Sequence, residues 1–264
     1  MTVWRRGFLP KPGANLGLLY SVPRGGAVYW LMEKIKKQVL EVHARLGAAY
    51  GAPFPFFRDA DPLSELVGSL LSHRTKNADS GRALADLTEL GSWAVVMDAP
   101  TAEVQAAICQ ATWPEQKAPR IQSALRYVQA ARGELSLDFL AELSPAEAQR
   151  WLEQIPGVGP KTSAAVLLFS RLRMPALPVD SHHHRVAQRL GWISDKISPG
   201  PAHARLRALL PESWDAQTLY DHHEALMFHG QKCCFYRNPA CARCPVVALC
   251  PWGQKQLPGG MLGS

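Results

Sequence analysis

Five of the six cysteines lie between residues 233 and 250, and four of them, Cys234, Cys241, Cys244 and Cys250, stand in a C-x6-C-x2-C-x5-C spacing. In a chain without a secretory signal, such clustering favours a bound metal over disulfides, because metal-bound thiolates persist where disulfides would be reduced. Zinc and an iron-sulfur cluster both take four thiolates, and the spacing alone leaves them comparable. Cys233 is an alternative first ligand, but the x6 interval favours Cys234. Cys109 stands alone in a helical stretch and reads as a small buried apolar residue.

A second concentration of chemistry is "QIPGVGPKTSAAV" at 154–166, with two glycines one residue apart and a lysine opening a helix-forming run. A phosphate-binding P-loop needs four residues between its first glycine and a Gly-Lys pair, and here Pro160 precedes Lys161. A dinucleotide fingerprint fails as well, since Thr162 occupies the place of its third glycine. What remains is a tight turn in which Gly157 and Gly159 let the backbone approach a ligand, followed by a helix N-terminus that offers N–H groups to an anion. Pro160 suits the first helical position because it has no N–H to leave unpaired. On the turn alone, an ordinary helix-helix connection is the simpler account.

The elements that must position these groups read as helices throughout the 264 residues. Leu31, Ile35, Val39, Val42, Leu46 and Ala49 recur three or four apart, one apolar face closed by Gly51. Asp61 caps and Pro62 opens a second helix, rich in leucine and more apolar than amphipathic, which belongs in a core. Further helices are predicted at 77–90, 101–110, 118–132, 145–154, 160–172, 181–190, 200–210 and 215–229, with Ser144 and Glu147 as a capping box. No alternating β-branched run interrupts them, so the fold class is all-α. His182, His183 and His184 point about 100° apart on a helix and do not converge on one ion. His222, His223 and His229 read as packing or capping residues.

Net charge is +7 and the isoelectric point near 9.2, a balance that suits a partner with a phosphate backbone. No apolar run approaches the roughly 18 residues of a membrane span, so a soluble, intracellular protein is expected. Residues 1–30, rich in Gly and Pro with Arg5, Arg6, Lys11 and Arg24, read as a flexible extension, with an organellar transit peptide or a basic arm on nucleic acid as alternatives.

"IPGVGPKTSAAVLLF", "PVDSHHHRVAQRLGW" and "HGQKCCFYRNPACARCPVVALC" resemble the helix-hairpin-helix, the Gly/Pro loop with its aspartate, and the cluster loop of the endonuclease III family of DNA glycosylases. "LLSHRTKNAD" and "QKAPRIQSAL" resemble that family's earlier segments in the same order, so the likeness runs from about 31 to 252. The resemblance implies two α-helical domains with DNA crossing the cleft between them: a six-helix domain at 60–173, and a discontinuous cluster domain from 31–59 plus 174–252. A tail would follow at 253–264. It implies a 4Fe-4S cluster on the four spaced cysteines, Lys161 and Asp180 as catalytic nucleophile and carboxylate, and Gly157 and Gly159 as DNA-phosphate anchors. The implied activity is base excision repair: removal of a damaged base, oxidised pyrimidines foremost, and strand cleavage at the abasic site.

The chemistry requires such a pair. Positive charge develops on the sugar as the glycosidic bond breaks, and a carboxylate stabilises it, while a neutral amine attacking C1′ leaves a Schiff base from which the 3′ phosphate is eliminated. The helix N-terminus and nearby cations would disfavour the lysine's charged form. His73 and Arg74 stand where the family fills the gap left by an extruded base; bacterial members commonly carry Ala-Gln there, and archaeal relatives are closer. Gln116, Lys117 and Arg120 are further candidates at the duplex, and Arg237 and Arg243 at phosphate from the cluster loop. Many relatives carry a basic residue where Pro160 stands. Expected partners are double-stranded DNA with damaged bases or abasic sites; the chain is expected to be a monomer in a bacterial cytoplasm, at the nucleoid. Ser69 stands where the related adenine glycosylases carry a glutamate, which counts against that activity. A monofunctional glycosylase and a cluster-bearing DNA-binding module are the alternatives.

Overall fold

The computed structural model describes residues 26–57 and 59–257; residues 1–25 of the expected 1–30 extension and the end of the tail lie outside them, while 26–30 open the first helix. The described chain is all-α: twelve α-helices joined by short connections and three 3-10 turns, with no strand among the described residues. Among them no helix is long and apolar enough to cross a membrane.

The buried apolar side chains fall into two clusters. One is built from α2 (Pro62–Ser72), α3 (Asn77–Glu89), α4 (Trp93–Asp98), α5 (Thr101–Ala107), α6 (Pro114–Arg132), α7 (Pro145–Leu152) and most of α8 (Pro160–Phe169). The other joins α1 (Gly26–Tyr50) to α9 (Ser181–Arg189), α10 (Pro199–Arg207), α11 (Ala216–Lys232) and the cysteine loop that runs into α12 (Pro251–Gln254). In α1 only the middle of the predicted face is sealed: Val39, Val42 and Leu46 are fully buried, whereas Leu31 and Ala49 are exposed. Each sealed side chain contributes about 1.5–3 kcal/mol of burial.

Helix α8 sits between the two cores. Val166 and Leu167 belong to the first cluster and the adjacent Leu168 to the second, and α8 packs on α2, α7, α10 and α11. A helix enclosed from both sides must be apolar all round, which is why "SAAVLL" shows no amphipathic period. Its middle, residues 163–168, is buried, and its first turn, carrying Lys161 and Thr162, is half-buried.

Candidate active site and DNA-facing cleft

The turn between α7 and α8 is held from inside. Ile155 and Val158 are buried, Val158 N–H donates to Ile155 O at 3.0 Å, and Ser163 Oγ donates to Glu153 Oε1 at 2.9 Å. This turns Pro156 and Gly157 outward. Gly157 has φ 83°, a conformation that favours glycine, and a Cβ there would meet the exposed Arg120 side chain, its Cδ at 2.8 Å. Gly159 is different: its backbone is extended and a Cβ would meet nothing within 4 Å. No side chain caps α8, and its first-turn N–H groups stay available to an anion.

Lys161, in that first turn, makes no hydrogen bond to a described residue. Burial pushes its ammonium below the ordinary lysine range, and the Asp180 and Glu65 carboxylates partly oppose this. Burial, rather than the neighbouring cations expected from sequence, thus favours the neutral amine. Glu65 lies in the apolar helix α2, is itself buried, and accepts a hydrogen bond from Ser69 Oγ at 3.0 Å. Nothing in the sequence singled it out.

Asp180 is the N-cap of α9, its Oδ1 accepting from His183 N–H at 2.7 Å. Burial pushes the carboxyl up, but His223, the His183 N–H and neighbouring imidazoles outweigh it and hold the pKa below its ordinary value. Asp180 is therefore both cap and carboxylate. Behind it, His183, His222 and His223 are buried, with the His183 ring 5.5 Å from His222 and 5.8 Å from His223 between centroids. Burial lowers the pKa of all three, and the Asp180 carboxylate opposes this at His183 and His223. His229 is buried too.

Glu224, beside Asp180 on α11, has its carboxyl raised to about 7, first by burial and then by the Asp180 and Asp221 charges. A carboxyl raised in the folded chain favours folding most fully below its ordinary value of 4.5, and that contribution is lost as pH rises through about 7. Glu224→Gln should therefore gain stability relative to the parent between pH 5 and pH 8, read as a widening difference in melting temperature. An equal difference at both pH values would contradict the assignment.

The α2–α3 turn presents His73 and Arg74, both exposed. Partial burial, then the positive charges of Lys117, Arg74, Arg120 and Lys161, keep the pKa of His73 low. Arg74 and Arg120 thus put positive charge at the surface near His73, a field suited to phosphate. Arg74 has φ 53° and Trp113 φ 56°; both are non-glycine residues in left-handed conformation. The Arg74 guanidinium lies 5.8 Å from the Trp113 ring centroid. Thr112 fastens the two loops, its N–H donating to Thr75 Oγ1 at 3.1 Å and its hydroxyl to Arg74 O at 3.0 Å. Trp113, 42 % exposed, is a surface aromatic that the sequence reading passed over. Its signal is the proline after it, which sets the start of α6 at Pro114 instead of 118.

Lys117, expected at the duplex, is a correction. It is 3 % exposed, and its ammonium donates to Leu71 O at 2.6 Å, His73 O at 2.9 Å and Thr75 Oγ1 at 2.6 Å. It clips the turn that carries His73 and Arg74 and is not itself a surface cation. Lys117→Met removes three hydrogen bonds from a charged donor and should cost about 3 kcal/mol, measured by denaturant unfolding, with weaker DNA binding as the turn loosens. A loss under about 0.5 kcal/mol would show the clip to be idle. Gln116 is exposed beside it, as is Arg237 in the cysteine loop, while Arg243 is tied to Lys232 O at 3.0 Å. Cys109 is a second correction: it is exposed, just beyond the end of α5.

Cys234, Cys241, Cys244 and Cys250 line one cavity with Val186, Leu190, Val246 and Trp252. Their sulfurs have donors: Arg189 Nη1 reaches Cys234 Sγ at 3.2 Å, and Gly253 N–H reaches Cys250 Sγ at 3.2 Å. Arg189 also donates to Phe235 O at 2.7 Å and Tyr236 O at 3.0 Å, and Arg185 to Cys234 O at 3.1 Å and Gly230 O at 2.8 Å. The loop is thus braced by α9, the helix that Asp180 caps.

Residues 67–212 match the HhH-GPD superfamily of base excision DNA repair proteins. The chain is 33 % identical over 172 residues to an Arabidopsis thaliana protein named as a candidate DNA glycosylase, covering 65 % of this chain and 57 % of that one. It is 28 % identical over 201 residues to an endonuclease III of Thermotoga maritima, covering 75 % and 87 %. In three dimensions it is similar to an endonuclease III trapped in a covalent intermediate with DNA, with a TM-score of 0.71, 22 % identity, and coverage of 84 % and 98 %.

Proposed function

The chain belongs to the HhH-GPD superfamily of base excision DNA repair proteins, and from that premise we propose that it is a bifunctional DNA glycosylase and abasic-site lyase acting on double-stranded DNA. The observation that carries the reading is Lys161: an amine in the first turn of α8 whose charged form is disfavoured by burial, within electrostatic reach of Asp180.

In this reading the duplex phosphate docks at the α8 N-terminus and the cations about His73, and the damaged nucleotide is extruded into the cleft. Arg74 and Trp113 stand at the mouth, where a filler of the vacated stack is needed. The neutral Lys161 amine forms a bond to C1′ as the bond to the base breaks; the base leaves with the electron pair and takes up a proton. Asp180 stabilises the positive charge that develops on the sugar. Loss of the proton from nitrogen and opening of the sugar give the Schiff base. Removal of a C2′ proton then expels the 3′ phosphate, and water releases the lysine. Oxidised pyrimidines are the proposed lesions.

Cys234, Cys241, Cys244 and Cys250 would hold a 4Fe-4S cluster. An ion bound tetrahedrally by thiolates wants its sulfurs about 3.8 Å apart, and no three of these four have their sulfurs within 4.8 Å of one another. The wider frame suits a polynuclear group, whose contribution when bound is to fold and dock the loop. Iron and sulfide analysis of the purified protein tests this, and a single zinc on four thiolates would overturn it.

The activity is tested with duplexes carrying an abasic site or a panel of lesions, at fixed salt, with and without borohydride. A covalent protein–DNA adduct and strand cleavage are expected. Base release without any adduct would mean a monofunctional glycosylase, and neither from any lesion would sink the enzyme reading.

A further inference from the structure

Two donors in the cysteine cavity have no part in the four-thiolate set: His229 and Cys233. They lie one helical turn apart at the end of α11, and so on one face. The His229 carbonyl accepts both the Cys233 N–H at 3.0 Å and the Cys234 N–H at 2.7 Å, and Ala240 N–H closes back onto Cys233 O at 2.9 Å. Both are buried, His229 at 2 % and Cys233 at 5 % exposure. Among the described residues, the one set of three histidine, cysteine or carboxylate donors whose ligand atoms all lie within 4.8 Å of one another is His229, Cys233 and Cys244.

The geometry is that of a single ion. Bonds of about 2.0 Å to nitrogen and 2.3 Å to sulfur at tetrahedral angles separate a nitrogen and a sulfur ligand by about 3.5 Å. His229 Nε2 stands 3.6 Å from Cys244 Sγ. The other ring nitrogen, Nδ1, is 3.0 Å from Tyr50 Oη, the outer partner that orients a ligating imidazole and fixes its tautomer.

We propose that His229, Cys233 and Cys244 form a mononuclear site for a soft divalent ion, zinc(II) or iron(II), sharing Cys244 with the four-thiolate set. Water completes the tetrahedron, and two thiol protons are released on binding. The tripod itself stands on its own geometry. Its corollary rests on the cluster reading above: Cys244 serves either the cluster or the single ion, so the loop has two alternative metal-bound states.

The test uses the full chain, stripped of metal anaerobically, with cobalt(II) as the probe. One equivalent should bind with the visible bands of a tetrahedral ion and the charge-transfer intensity of two thiolates. Cys233→Ser should halve that intensity and weaken binding roughly ten-fold or more, yet still accept four irons on reconstitution. Cys250→Ser should do the opposite, leaving cobalt binding unchanged while iron and sulfide fall. Cluster-loaded protein should take up no cobalt here. A cobalt spectrum of four thiolates, lost in Cys250→Ser and intact in Cys233→Ser, would overturn the site. Full iron retention in Cys250→Ser would instead refute the four-thiolate assignment, leaving the cobalt result to stand alone.

Discussion

Lys161→Gln abolishes the borohydride-trapped adduct and slows strand incision by roughly 10⁴-fold or more, the scale seen when a covalent nucleophile is removed. The fold should survive the change. Lys161 makes no hydrogen bond to a described residue, and its neighbours on α8 are held by Ser163 and the buried Val166 and Leu167. A lysine whose pKa is lowered by folding opposes the folded state at every pH where the unfolded lysine is charged. Its neutral replacement should therefore melt at the same temperature or higher at pH 7. Loss of the adduct with a raised or unchanged melting temperature identifies the nucleophile. An adduct that persists in Lys161→Gln would place the nucleophile elsewhere.

The second large effect separates two roles of one side chain. Asp180→Asn keeps an oxygen for the His183 N–H and removes the charge, so single-turnover base release should fall about 10²–10³-fold, the range for losing one preorganised electrostatic partner of the transition state. Because folding depresses the Asp180 pKa, its carboxylate contributes stability above the ordinary aspartate range and loses it as pH falls through the lowered value. The Asn variant forfeits that contribution at pH 7. Asp180→Ala removes the cap as well, at about 1 kcal/mol more. A base-release rate unchanged in Asp180→Asn would reduce the residue to a helix cap.

What the sequence announced was local. The capping box at Ser144 and Glu147, the cap at Asp61 and the turn around Gly157 are each specified by residues within a few positions of one another, and each is present. The cysteine spacing is likewise a short-range signal, and the four residues line one cavity. Long-range pairing is what a single sequence conceals. Lys117 resembles a surface cation until the carbonyls of Leu71 and His73, more than forty positions away, fold around it. Glu65 is hidden inside an apolar helix, and its meaning appears only when α2 packs on α8 and brings it to Lys161. Cys109 fails for a nearer reason: α5 ends at Ala107, so the helix that would have buried it stops short.

Helix α9 is nine residues long, a rod of about 13 Å. At one end it carries the carboxylate proposed to meet the sugar; toward the other, two arginines grip the backbone of the cysteine loop. A stiff strut with a load at each end transmits position. The cysteine loop and the carboxylate proposed to meet the sugar are thus fastened to the same short helix.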